Sequence, residues 1–141
     1  PFGVFLPATW GRPAAAECSA SALCPGATCA PISGTHNLTP GCILDFGAKA
    51  VTLIGVFQAD VTGASFEVRA GSLTLNAGKL KSLGSGSTPG GDIRVTVTGA
   101  FSMTGSGPLV DASAGGGGGG LFVTAASFSV CSRSQPRWWR S

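Results

Sequence analysis

From Ile43 to Val130 the chain alternates apolar and small polar residues in short bursts separated by Gly, Ala or Ser, among them ILDF (43–46), VTLI (51–54), SFEVRA (65–70), SLTL (72–75), DIRVTV (92–97), AFSM (100–103) and SFSV (127–130). A period of two predicts half-buried β-strands. The Asn-Gly and Asp-Gly pairs that mark tight hairpins are scarce between the bursts, and the bursts come in sets of three. The sets recur. Leu44 and Phe46 have counterparts 22 residues on in Phe66 and Val68, and Val51 and Leu53 have theirs in Leu73 and Leu75. The next interval is 27 to 28 residues, taking Phe66 and Val68 to Ile93 and Val95, and Leu73 and Leu75 to Phe101 and Met103. A further 27 residues lead from Phe101 and Met103 to Phe128 and Val130. The extra residues fall after the third strand of each set, at GSGSTPGG (84–91) and AGGGGGG (114–120).

Self-similarity at a fixed period is the mark of stacked repeats. Three strands per repeat, each pairing with its equivalent about 4.8 Å away in the next coil, make a solenoid. The pattern predicts an all-β fold, a short right-handed parallel β-helix of about three and a half coils over residues 42–130. Leu44, Phe66, Val95 and Val123 are expected to stack inward in one column, and Leu53, Leu75, Met103 and Val130 in another. Thr52, Thr74, Ser102 and Ser129 are expected to face outward. An antiparallel sandwich would need hairpin turns in place of a threefold register.

Composition narrows the picture further. Only 11% of residues are charged, 23 are glycine, and 43% are hydrophobic. Helical surfaces need more charge than this, and disordered tails need less apolar content. The net charge of +3 resides in Arg133, Arg137 and Arg140, because the basic and acidic residues before them balance. A neutral body lacks the basic surface that nucleic-acid binding requires, so no nucleic-acid partner is expected.

Residues 1–16 are apolar and end in Ala14-Ala15-Ala16, which reads as a signal-peptide remnant or a disordered leader. No run of 18 apolar residues follows, so no membrane span is expected. Residues 17–41 form a cysteine-rich N-terminal cap. Cys18, Cys24, Cys29 and Cys42 suit two disulfides of an exported protein, with three connectivities open. A zinc site of Cys24, Cys29, His36 and Cys42 would lack the tight Cys-x₂-Cys pair, so no metal and no cofactor are expected. His36 is placed in an exposed loop. Asn37-Leu38-Thr39 is formally a glycosylation acceptor, followed at once by Pro40. Cys131 has no partner in this scheme. Residues 131–141, CSRSQPRWWRS, break the alternation and form a basic, Trp-rich tail, read as disordered or as the product of a shifted reading frame. Arg137, Trp138, Trp139 and Arg140 are its candidate interface residues, suited to an anionic membrane surface.

LDFGAKAVTLIG, VRAGSLTLNAGKL and VDASAGGGGGG resemble the β-helical repeats of large exported surface proteins of Gram-negative bacteria, of the adhesin and autotransporter-passenger type. The resemblance spans residues 42–125 and is one of pattern and composition. It implies a role at or outside the cell envelope and transfers no functional residue. The function expected is a structural or adhesive module without enzymatic activity, an N-terminal fragment whose partners are glycans or further coils of the same protein. The alternative is a carbohydrate-active β-helix, whose chemistry wants two carboxylates about 5–10 Å apart. Asp45 and Glu67, 22 residues apart, are the candidate pair.

Overall fold

The computed structural model describes residues 17–84, 88–105, 110–111 and 119–132. Twelve strands follow one short helix, α1 (Ala20–Leu23). They are β1 (Thr35–Leu38), β2 (Cys42–Asp45), β3 (Ala50–Leu53), β4 (Val56–Ala59), β5 (Phe66–Ala70), β6 (Ser72–Asn76), β7 (Lys79–Lys81), β8 (Ile93–Val97), β9 (Ala100–Gly105), β10 (Val110–Asp111), β11 (Leu121–Thr124) and β12 (Ser127–Ser132). Three four-stranded sheets result, ordered β1-β4-β7-β10, β2-β5-β8-β11 and β3-β6-β9-β12. Every ladder between these strands is parallel. The chain is a parallel β-helix: three complete coils, two strands of a fourth, and one strand ahead of the first.

Alternation explains the core. Val51, Leu73 and Phe101 are buried on one inward column and Leu53, Leu75 and Met103 on its neighbour, while Thr52, Thr74 and Ser102 between them are half-exposed. Below them Phe101 stacks on Phe128 at 5.2 Å between ring centroids. Phe57, Leu80 and Val110 fill the column of the third sheet. The expected register of the β3-β6-β9-β12 sheet is observed throughout.

In the neighbouring sheet one step differs. Leu44 pairs with Val68, and Cys42 pairs with Phe66. The inward columns are therefore Leu44-Val68-Val95-Val123 and Cys42-Phe66-Ile93-Leu121. Phe66 belongs to the second column and not, as the spacing of 22 suggested, to the first. The cause is an unequal corner. Four residues, Phe46 to Lys49, join β2 to β3, whereas Gly71 alone joins β5 to β6. Phe46 turns inward at that corner, 3% exposed, and Gly47 donates its backbone N–H to the Asp45 carboxylate at 2.9 Å.

The corners stack backbone on backbone. A Cβ on Gly91 would collide with the Ala64 carbonyl, and one on Gly119 would collide with the Gly91 carbonyl. Ser82, fully buried, ties the same corner together: its hydroxyl donates to the Ala64 carbonyl and accepts the Gly91 N–H at 2.9 Å. The upper end is closed by residues 17–34. Ser19 caps α1 by accepting the Ala22 N–H at 3.2 Å, Ile32 bridges to Leu53 and Glu17 to Leu38, and Leu23 packs on the core.

Candidate functional site

The outward face of the β2-β5-β8-β11 sheet carries the charged residues that sequence singled out. Its columns are Ile43-Glu67-Arg94-Phe122 and Asp45-Arg69-Thr96-Thr124. Asp45 thus lies opposite Arg69, and Glu67 lies opposite Ile43 and Arg94. The stacked Asp45–Glu67 pair expected from a 22-residue spacing does not form, because the real spacing here is two residues longer.

One oxygen of the Glu67 carboxylate is engaged twice. Its Oε2 accepts from Arg69 Nε at 2.8 Å and from the Thr96 hydroxyl at 3.0 Å. The hydrogen bond from Arg69 is the main reason its carboxyl lies below the ordinary carboxylate range; burial opposes this, and Thr96 and the charges of Arg69 and Arg94 assist. The Arg69 guanidinium is correspondingly raised by Glu67, with help from the Asp45 charge. Asp45 serves its own turn through Gly47. A carboxyl held ionised does not suit the general-acid role in glycoside cleavage, though it is the state the second carboxylate of such a pair needs. Arg94 stacks on the Phe122 ring, 4.7 Å from its centroid, and Ile43 and Phe122 are each nearly half exposed.

Two shallow cavities are lined by described residues. One of about 180 Å³ lies among Ile43, Ser65, Glu67 and Arg94. The other, about 200 Å³, lies among Gln58, Asp60, Thr62 and Lys81. Both fall short of the ~300–1,000 Å³ of sites that engulf a small ligand.

The cysteines pair Cys18 with Cys42, Cα–Cα 5.6 Å, and Cys24 with Cys29, Cα–Cα 5.2 Å. These pairs suit an oxidising compartment. They also divide Cys24, Cys29 and Cys42, the cysteines of the alternative zinc set, between two bridges. His36 is not in a loop: it sits on β1, opposite Phe57, with its ring edge-on to the Phe57 ring at 5.9 Å. Its Nε2 contacts the Ser33 carbonyl at 2.8 Å and its Nδ1 the Glu17 carboxylate at 3.1 Å. Asn37, on the same strand, accepts from Gln58 through its amide oxygen at 2.7 Å.

Two features escaped the sequence reading. Ser82 was one, although the alternation Leu80-Ser82 would have placed it inward. The Asn37–Gln58 amide ladder was the other; β1 has too little hydrophobic alternation to signal a strand. Trp138, Trp139, Arg137 and Arg140, and residues 1–16, lie outside the described residues. Cys131 extends β12 opposite Thr104. Among the described residues no helix is long and apolar enough to cross a membrane. The chain matches no known protein family, no curated protein and no solved structure.

Proposed function

We propose that the chain is a structural or adhesive module of an exported cell-surface protein, similar in kind to the β-helical repeats of adhesins and autotransporter passengers. The observation that carries this reading is the in-register stacking of four strands per sheet, which joins short coils into continuous outward faces. Such faces are rigid before they meet a partner, so little ordering is lost on contact. The cysteine pairs at the upper end fit export. At the lower end Leu121, Val123, Phe128 and Val130 are only partly buried, whereas Ile93, Val95, Phe101 and Met103 directly above them are fully buried. That end is where further coils of the same protein would add.

The test immobilises the full chain and measures attachment of cells and of extracellular matrix glycans. Attachment is expected, and it should survive Asp45→Ala combined with Glu67→Ala. A release of reducing ends from polysaccharide that disappears in the double variant would replace this reading with a carbohydrate-active one.

A further inference from the structure

The outward face of the β2-β5-β8-β11 sheet has an order that reverses into its own complement. One column runs Ile43, Glu67, Arg94, Phe122 down the four strands: apolar, acidic, basic, apolar. Ile43 and Phe122, large apolar side chains at its two ends, are 46% and 47% exposed. The two charges between them have unused capacity. Glu67 uses only Oε2, on Arg69 and Thr96, and its Oε1 accepts no hydrogen bond among the described residues. Arg94 lies against the Phe122 ring and donates no hydrogen bond among them. Beside Ile43 the surface dips into the cavity of about 180 Å³, which Gly41, Cys42 and Phe66 also line.

A twofold axis parallel to the strands, passing over the gap between β5 and β8, sets this column against itself in reverse order. Phe122 of a second copy then meets Ile43 and the cavity beside it, and Arg94 of the second copy meets Glu67. Both contacts occur twice, because an isologous interface repeats each pair. The neighbouring column, Asp45-Arg69-Thr96-Thr124, is compatible with the same axis: reversed, Asp45 faces Thr124 and Arg69 faces Thr96, with no like charges opposed. A twofold along the coil axis would instead set Glu67 against Glu67 and Arg94 against Arg94, which like-charge repulsion disfavours.

We propose that the chain forms a homodimer through the β2-β5-β8-β11 face, with the two copies antiparallel. Glu67 and Arg94 pair across the axis, and Phe122 of each copy sets against Ile43 of the other. The inference goes beyond the adhesive reading and does not depend on it. The column spans only ~14 Å from its first strand to its last, a small contact of the weak and transient class.

Sedimentation velocity of the full chain from micromolar to millimolar concentration tests this, with non-reducing electrophoresis alongside. The average mass should rise reversibly toward twice that of the monomer, with no covalent dimer on the gel. Phe122→Ala should weaken association about tenfold, as loss of an aromatic anchor does. Arg94→Glu and Glu67→Lys each put like charges across the axis twice and should each lower association below detection. Mixing those two variants should restore it, because each then offers the other opposite charges at both positions; recovery also shows that both fold. Ala100→Glu, exposed on the β3-β6-β9-β12 face, should change nothing. A monomer at every concentration overturns the proposal, and so does a disulfide-linked dimer. A dimer that keeps its affinity in Phe122→Ala and Arg94→Glu overturns it too; loss of that dimer in Val130→Asp would place the contact at the open end. If the two charge variants keep the wild-type thermal transition yet fail to associate on mixing, the twofold pairing is wrong.

Discussion

At Gly91 and Gly119 successive coils approach so closely that a Cβ on either residue would meet a carbonyl of the coil above. The obstacle is backbone, held by the sheets on either side, and cannot swing away as a flexible side chain would. Gly91→Ala is therefore expected to cost about 1–3 kcal/mol, in the range of other overpacking changes, read as a lower urea midpoint with an unchanged slope. Glu67 offers a second test at this scale. Its folded-state pKa is depressed by Arg69, so its contribution to stability is present above the unfolded carboxylate pKa of about 4.3. That contribution is lost as pH falls through the lower folded value. In Glu67→Gln the unfolding midpoint should fall slightly at neutral pH and coincide with the wild type at the acid limit. A gap that stays constant across that range would show that the carboxylate's charge plays no part.

Among the elements, the cap joins chemistry to architecture. Cys42 heads an inward column on β2, and its bridge to Cys18 spans 24 residues, against five for Cys24–Cys29. Closing the longer loop removes more freedom from the unfolded chain. Replacing Cys18 and Cys42 by Ser is expected to cost ~2–4 kcal/mol, and replacing Cys24 and Cys29 distinctly less, both measured by denaturant unfolding under non-reducing conditions. The same elements show what sequence could tell. Strands β3, β6, β9 and β12 were legible in full because each inward pair, such as Leu53 and Leu75, recurs at the spacing the ladders have. The step from β2 to β5 was not. A slip of two residues returns every side chain to the same face of a strand, so inward apolar positions match equally well with Leu44 against Phe66 or against Val68. Only the corner decides, and the contrast between Phe46–Lys49 and the lone Gly71 carries no hydrophobic signal. That ambiguity also created the apparent Asp45–Glu67 pair. β1 was illegible for a different reason: Thr35-His36-Asn37-Leu38 has a single aliphatic residue, and its place is set by pairing with β4.

Across the whole molecule each coil touches only the coils above and below it, so stability is a sum over neighbouring units and not one shared core. The two ends are unequal. Above, the cap covers the first coil through the Glu17–Leu38 and Ile32–Leu53 bridges and the packing of Leu23. Below, the inward residues Leu121 and Val123 on β11 and Phe128 and Val130 on β12 are only partly buried. Local opening follows buried contact density, which predicts a gradient along the axis. Amide hydrogen exchange should be slowest in β4 to β9, each of which has a strand on each side, and fastest in β11 and β12. Leu75→Ala, in the second coil, is expected to cost about 2–5 kcal/mol and to speed exchange in the coils on either side. Val130→Ala, half-buried at the open end, should cost clearly less and leave exchange in β5 and β6 unchanged. Uniform protection from β2 to β12, with both variants lowering it everywhere alike, would mean that the coils unfold as one unit and that the open end is sealed by something that binds as tightly as another coil.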